Sequence, residues 1–275
     1  MLDPLLIPGT ICSLFIAFFT PQNKTFPFPE SIVSSDSLAR PSQTENIPEY
    51  TKSGFIVGWN AETKQPAWIA YELTLEEVYG SQAKRESAFK ADTEIVTGTA
   101  SNEDYYKSGY DRGHLAPAAD MKASPEAMKD SFLYSNISPQ EPSFNRGIWA
   151  DLEAMTRYWA VLDQSLLIAV GPVFLSHERR TIGPNAISVP DAFYRVIADW
   201  SLPQRKAIAF LIPNKKQTDS VFAFSTTVDE IEDLTGLDFF SSLPDFIENE
   251  IEGELDPDLW PEEEFSLNRH PYPER

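Results

Sequence analysis

The chain has 275 residues, of which 42% are hydrophobic and 12% aromatic, so it can bury a sizeable core. Its one cysteine, Cys12, excludes an intrachain disulfide and a cysteine-rich zinc site, and three histidines (His114, His177, His270) leave too few for a multi-histidine metal cluster. A formal net charge of −20 argues against a polyanion ligand, but residues 228–275 hold 16 acidic side chains against 2 basic ones, whereas residues 1–227, at 26 against 20, leave room for a local basic groove.

Leu5–Phe19 is mostly apolar and densest over Leu14–Phe19. With Pro8 inside, it is short for a membrane span. Three readings fit: a signal peptide over residues 1–20 that exports the protein to the periplasm or the medium, an anchor over residues 5–19, or a merely hydrophobic N-terminus. Export is the expectation taken forward, although no Lys or Arg precedes Lys24. No stable integral membrane partner is inferred. Residues 21–50, rich in Pro, Ser, Thr and Asn, read as a linker. Residues 51–248 read as the folded domain and residues 249–275 as an acidic, proline-containing tail.

Within the domain, Gly54–Trp59 and Ala67–Leu73 read as strands around a polar turn, and Leu166–Val173, Ala192–Asp199 and Ala207–Ile212 as further strands. The strongest helix is Asn145–Leu162, where Ile148, Leu152, Met155, Trp159 and Leu162 repeat at the spacing of a buried stripe. Val228–Thr235 reads as a short helix with Thr227 as N-cap, Pro244–Gly253 as another, and Glu254–Arg275 as a loosely packed end.

Two segments carry chemistry. Tyr110–Asp120 (YDRGHLAPAAD) sets Asp111, Arg112, Gly113 and His114 in succession. An imidazole can take a proton from water near neutral pH and a guanidinium can fork onto a phosphate; a turn with a surface histidine is the bland alternative. In Ser135–Glu153 (SNISPQEPSFNRGIWADLE), Asn145 and Glu153 flank the buried stripe. An N-cap role for Asn145, a solvated Glu153 and an i, i+4 ion pair of Glu153 with Arg157 are the structural alternatives. His177 reads as part of a solvated charged turn, and Lys215 with Lys216 as a candidate phosphate-binding rim.

Taken together, D-R-G-H followed by S-N-x-x-P-Q and N-x-x-x-W-x-x-L-E resemble the signature of the DNA/RNA non-specific endonuclease family, over roughly Phe55–Phe240. The resemblance implies an α+β fold: a mixed, mainly antiparallel central sheet flanked by helices, with a ββα-metal finger. It implies a sugar- and sequence-non-specific endonuclease acting on DNA and RNA, leaving 5′-phosphate and 3′-hydroxyl ends. His114 would be the general base, Asn145 the protein ligand of Mg²⁺ (with Mn²⁺ accepted), and Glu153 a holder of metal-bound waters. Arg85, Arg112 and Arg157 would act on the phosphate; Asp111, Asn136, Gln140 and Arg146 would bind nucleic acid or support the site. A homodimer is a further expectation. The alternatives are an inactive polyanion- or partner-binding module on the same fold and a phosphodiesterase for smaller esters.

Overall fold

The computed structural model describes residues 39–43, 47–176 and 178–262, all within one compact unit of Val33–Arg275. The apolar N-terminus, most of the linker, His177 and His270 lie outside the described residues. The order is β1 (Ser42–Gln43), β2 (Glu49–Thr51), β3 (Ile56–Asn60), β4 (Gln65–Thr74), α1 (Leu75–Tyr79), α2 (Asn102–Tyr105), β5 (Asp111–His114), α3 (Pro125–Ser131), β6 (Ile137–Gln140), α4 (Pro142–Asn145) and α5 (Ile148–Asp163). Then follow β7 (Ser165–Val173), β8 (Thr181–Ile182), β9 (Ile187–Ser188), β10 (Ala192–Asp199), β11 (Lys206–Pro213), β12 (Ser225–Thr226), α6 (Val228–Thr235), β13 (Leu237–Asp238) and α7 (Asp245–Glu252).

Seven strands make the main sheet in the order β12-β11-β10-β7-β4-β3-β2, with every pairing antiparallel. This is the α+β architecture expected. Alternation along the strands splits the core. Leu166, Ile168 and Val170 of β7 face α5, packing with Trp149, Leu152 and Trp159. Leu167 and Ala169 face the other way, toward Val228 and Ile231 of α6 and Ile247 and Ile251 of α7. The α6 boundaries agree with the sequence: Thr227 accepts from the Glu230 amide at 3.2 Å, and Gly236 closes the helix at φ 70°, where glycine carries no Cβ penalty.

Four expectations change. Residues 39–43 and 47–50 are not all linker: Ala39 is fully buried, β1 pairs with β13 and β2 forms a sheet edge. The helix expected from Asn145 begins at Ile148, because Gly147 leaves helical geometry (φ −113°, ψ −115°) and the Pro142–Asn145 turn is separate. Leu162, the last residue of the predicted stripe, is 46% exposed. Finally, the tail packs as far as it is described. Trp260 is buried edge-on against Trp159 at 5.0 Å, and the Trp159 indole donates to the Pro261 carbonyl at 3.2 Å. A large aromatic in an acidic stretch gains more by covering the apolar back of α5 than the polar residues around it gain from solvent.

Candidate active site

β5 and β6 pair antiparallel, with Asp111 opposite Gln140 and His114 opposite Ile137, and the chain then turns through α4 into α5. This ββα order brings the two sequence segments to one place. Gly113 is required by close approach: a Cβ there would lie 2.1 Å from the Gln140 side chain. Gln140 itself is fully buried, and neither its Oε1 nor its Nε2 has a protein partner.

The His114 ring lies in an aromatic corner, 4.9 Å from Phe132 in an edge arrangement and 5.5 Å from Phe89. Its Nε2 is buried without a partner. The residue as a whole is only partly buried, so the nitrogen left for a water is Nδ1. Burial first, and the charge of Arg85 second, push its pKa down to about 3. Solvent at the partly exposed residue works against so large a shift, but the direction keeps the imidazole neutral at physiological pH.

Asn145 donates its Nδ2 to Asp111 at 3.0 Å, and Arg146 forks onto the same carboxylate at 2.7 and 2.6 Å. Burial opposes ionisation of Asp111, but these hydrogen bonds and the charges of Arg146 and Arg112 outweigh it, so its carboxyl lies below the ordinary range. The bond through Nδ2 leaves the Asn145 carbonyl oxygen for a hard cation, and that donor type fits Mg²⁺ or Mn²⁺.

The arginines divide into two kinds. Arg146 and Arg157 are paired to carboxylates, Asp111 and Asp120 respectively. Arg85 and Arg112 have no ion pair among the described residues. Arg85 is exposed and lies over the Phe132 ring at 5.4 Å. Arg112 donates through Nε to the Tyr134 hydroxyl at 3.1 Å and stacks over Phe89 and Tyr105. Arg157 pairs with Asp120, a residue 37 positions away, while its charge also acts on Glu153 one turn before it.

Beneath these groups runs a buried chain that the sequence reading missed. Arg195 is fully buried on β10 and donates to the Tyr71 hydroxyl at 2.8 Å; Tyr71 donates to Asp120 at 2.9 Å; Asp120 accepts from Arg157 at 2.8 Å. Arg195 also lies 5.6 Å from the Trp149 ring. Glu153 shares this field: burial lifts its pKa to about 7 against the charges of Arg195 and Arg157, with Asp120 adding to the rise and Arg85 opposing it. The available signal was an arginine inside the apolar strand Ala192–Asp199, which is costly unless it is paired.

Asn136, one of the expected supporting or nucleic-acid-binding residues, is fully buried and supports the fold. It accepts from the Ala116 amide at 2.8 Å and donates to the Ala116 and Ser131 carbonyls, each at 2.9 Å. It therefore fixes the backbone two residues beyond His114 and has no atom left for a nucleic acid. Lys215 and Lys216 are exposed after β11. Gln217 and Thr218 beside them line a groove of about 590 Å³ that begins at Arg146 and includes Asp151, Asp219 and Glu262.

An antiparallel sheet carrying a ββα unit, with a neutral histidine, an anchored asparagine and clustered guanidiniums, defines an α+β protein with a polar centre suited to phosphate chemistry. The family model for DNA/RNA non-specific endonucleases matches residues 34–246, and the chain belongs to that family. It is 35% identical over 216 residues to the mitochondrial nuclease of Saccharomyces cerevisiae, covering 69% of this chain and 64% of that one. It is 29% identical over 206 residues to human mitochondrial endonuclease G, covering 70% and 69%. The fold matches that in a crystal structure of the EndoG/EndoGI complex, described as showing the mechanism of EndoG inhibition, with a TM-score of 0.68, 28% identity and coverage of 72% and 87%. The chain thus spans just under two thirds of the yeast relative's length.

These relatives overturn the expectation of export, since both are mitochondrial proteins. An apolar stretch with no preceding basic residue was a poor match to a secretory signal. Among the described residues, no helix is long and apolar enough to cross a membrane.

Proposed function

We propose that this protein is a mitochondrial, metal-dependent endonuclease that hydrolyses DNA and RNA without sequence preference, leaving 5′-phosphate and 3′-hydroxyl ends. The observation that carries the reading is that one four-residue strand, β5, holds both halves of a hydrolytic site. At one end Asp111 fixes Asn145, and at the other His114 presents a neutral imidazole.

The residues then divide the work. His114 accepts the proton of the attacking water at Nδ1, while the corner formed by Phe89 and Phe132 holds the ring. Arg85 and Arg112, free of carboxylates among the described residues, bind the phosphate oxygens, and the Tyr134 hydroxyl holds the Arg112 fork in place. Asn145 would hold Mg²⁺ or Mn²⁺ through its carbonyl oxygen, and the Gln140 amide and the Glu153 carboxylate would orient waters. When bound, the ion supplies charge stabilisation to the phosphate and the leaving 3′-oxygen. Arg157 and Arg195 hold Asp120 and Glu153 in register. Binding runs through phosphates and groove shape, which carry no sequence information directly. Lys215 and Lys216 extend the phosphate rim beyond Arg146, and a second copy of the chain is a candidate partner.

The test is cutting of plasmid and of a defined RNA by the full chain with Mg²⁺, with a chelator, and by Asn145→Ala. Metal-dependent cutting of both polymers, absent with chelator and in Asn145→Ala, is the expected result. Cleavage confined to one short sequence, or full activity in excess chelator, overturns the reading.

A further inference from the structure

On the sheet face opposite α5, the helices α6 and α7 lean on the same apolar patch through Val228, Ile231, Ile247 and Ile251. Between them lies a group of acids that the proposed hydrolytic centre does not use. One carboxylate oxygen each from Asp229, Glu232 and Glu252 lies within 4.8 Å of the other two. Residues 228–262 contain no Lys or Arg, so neither helix can supply a counter-charge.

The decisive member is Glu252. It is 5% exposed, and its Oε1 is buried with no hydrogen-bond partner. A buried carboxylate with neither donor nor cation is strongly disfavoured, and this one is turned toward two more acids rather than toward solvent. Glu232 spends one oxygen on the Phe239 amide at 2.6 Å, which fixes its side chain and leaves the other oxygen for a ligand. Asp229 stands at the exposed mouth. Its Oδ2 lies so close to the turn after α7 that a Cβ on Gly253 would be 3.3 Å from it. Burial and the surrounding charges of Glu232, Glu248, Asp229 and Asp238 push the Glu252 carboxyl up to about 9. Three carboxylates so placed, one of them buried and unpartnered, call for a cation between them.

We propose that Asp229, Glu232 and Glu252 form a calcium-type divalent-cation site that clamps α6 to α7, separate from the hydrolytic centre. All donors are hard oxygens, which excludes a thiolate- or imidazole-preferring metal. Donor atoms within 4.8 Å of one another can share one Ca²⁺ at bonds of roughly 2.3–2.6 Å, and three protein carboxylates suit Ca²⁺ better than Mg²⁺, which keeps several waters and is held by one or two carboxylates. Water at the Asp229 mouth completes the coordination. Bound ion ties α7 to α6, so its effect is on stability rather than on the chemical step.

The experiment uses the full chain carrying Asn145→Ala, which removes the proposed catalytic ligand, after chelator treatment. Calorimetric titration with CaCl₂ is expected to show one equivalent bound. The melting temperature is expected to rise by about 3 °C or more once Ca²⁺ exceeds its dissociation constant tenfold. Adding Glu252→Gln, which keeps the shape and removes the buried charge, should weaken Ca²⁺ at least tenfold and abolish the rise. Asp229→Asn, at the exposed mouth, gives the same readout should the first variant fail to fold. With Asn145 intact, Glu252→Gln should cut plasmid in Mg²⁺ as the parent does. No Ca²⁺ binding up to about 10 mM, well above the weakest protein Ca²⁺ sites, overturns the proposal. So does an unchanged titration in either acidic-site variant.

Discussion

Asn145 and Asp111 are joined by a 3.0 Å hydrogen bond from the amide Nδ2 to Oδ2, across 34 residues of sequence. That bond decides which atom of Asn145 faces a ligand. Asp111→Ala should free the amide to rotate and release Arg146 together with it. The expected loss in metal affinity or activity is on the order of 10–100-fold, typical of partners that orient a metal ligand. Asp111→Asn should lose less, since an amide oxygen still accepts from Asn145. Equal metal titrations for parent and Asp111→Ala would remove this role.

His114→Ala should lower kcat by on the order of 10²–10⁴ while metal and nucleic acid still bind. The unperturbed imidazole of the sequence reading implied an acid limb near neutrality. Burial and the Arg85 charge, which push the pKa down to about 3, move that limb far to the acid side. The pH–rate profile should therefore show no loss from His114 protonation between pH 8 and pH 6, and Arg85→Gln should move the acid limb back toward neutrality. A variant retaining more than about a tenth of parental kcat would assign the base elsewhere.

Within the candidate site, two groups should pull the pH dependence of stability of the metal-free protein in opposite directions. The folded-state pKa of His114 lies below its ordinary value of 6.5, so the unfolded chain binds the extra proton and stability falls as pH drops from 6.5 toward 3. Glu153 is raised from 4.5 to about 7, so the native state binds the extra proton, and stability is gained as pH falls from 7 to 4.5. Melting curves from pH 7.5 to 4 should lose acid sensitivity in His114→Ala and gain it in Glu153→Gln. Parallel curves for all three proteins would rule out both assignments.

Arg195→Met keeps the volume on β10 but removes the charge that faces Tyr71, Asp120 and Glu153. Breaking such a buried network costs about 3–5 kcal/mol. The same change should raise the pKa of Glu153 further. Carboxylate titration followed by NMR separates this from simple destabilisation: a Glu153 resonance that titrates as in the parent would mean that Arg195 only fills space.

Trp260→Ala should destabilise by about 3–5 kcal/mol, as large aromatic deletions from cores do, because Trp260 is 1% exposed against Trp159 and under the Lys206 ammonium at 4.5 Å. Truncation before Glu254 should do at least as much, in place of the small salt effect that a loose tail implied. Urea unfolding measures both, and midpoints within error of the parent's would restore the loose-tail view.

Much of this protein is local and was legible in the sequence. The five strands follow from short runs of branched and apolar residues bounded by turns, and α6 from its period and the Thr227 cap, all of which act within a few residues. The order of D-R-G-H and the downstream asparagine segment was enough to indicate the family. The rest depends on partners far apart in the chain. Gly147 breaks a periodic pattern that continues unbroken in the letters. Arg157 reaches Asp120, which is also held by Tyr71, 49 residues away. Arg195 enters the site from β10, Trp260 returns from the tail to cover α5, and Phe89 and Phe132 close on His114. Sequence singled out His114 and Asn145 as the candidates; only tertiary packing set the desolvation around His114 and the Asp111 hydrogen bond that orients Asn145.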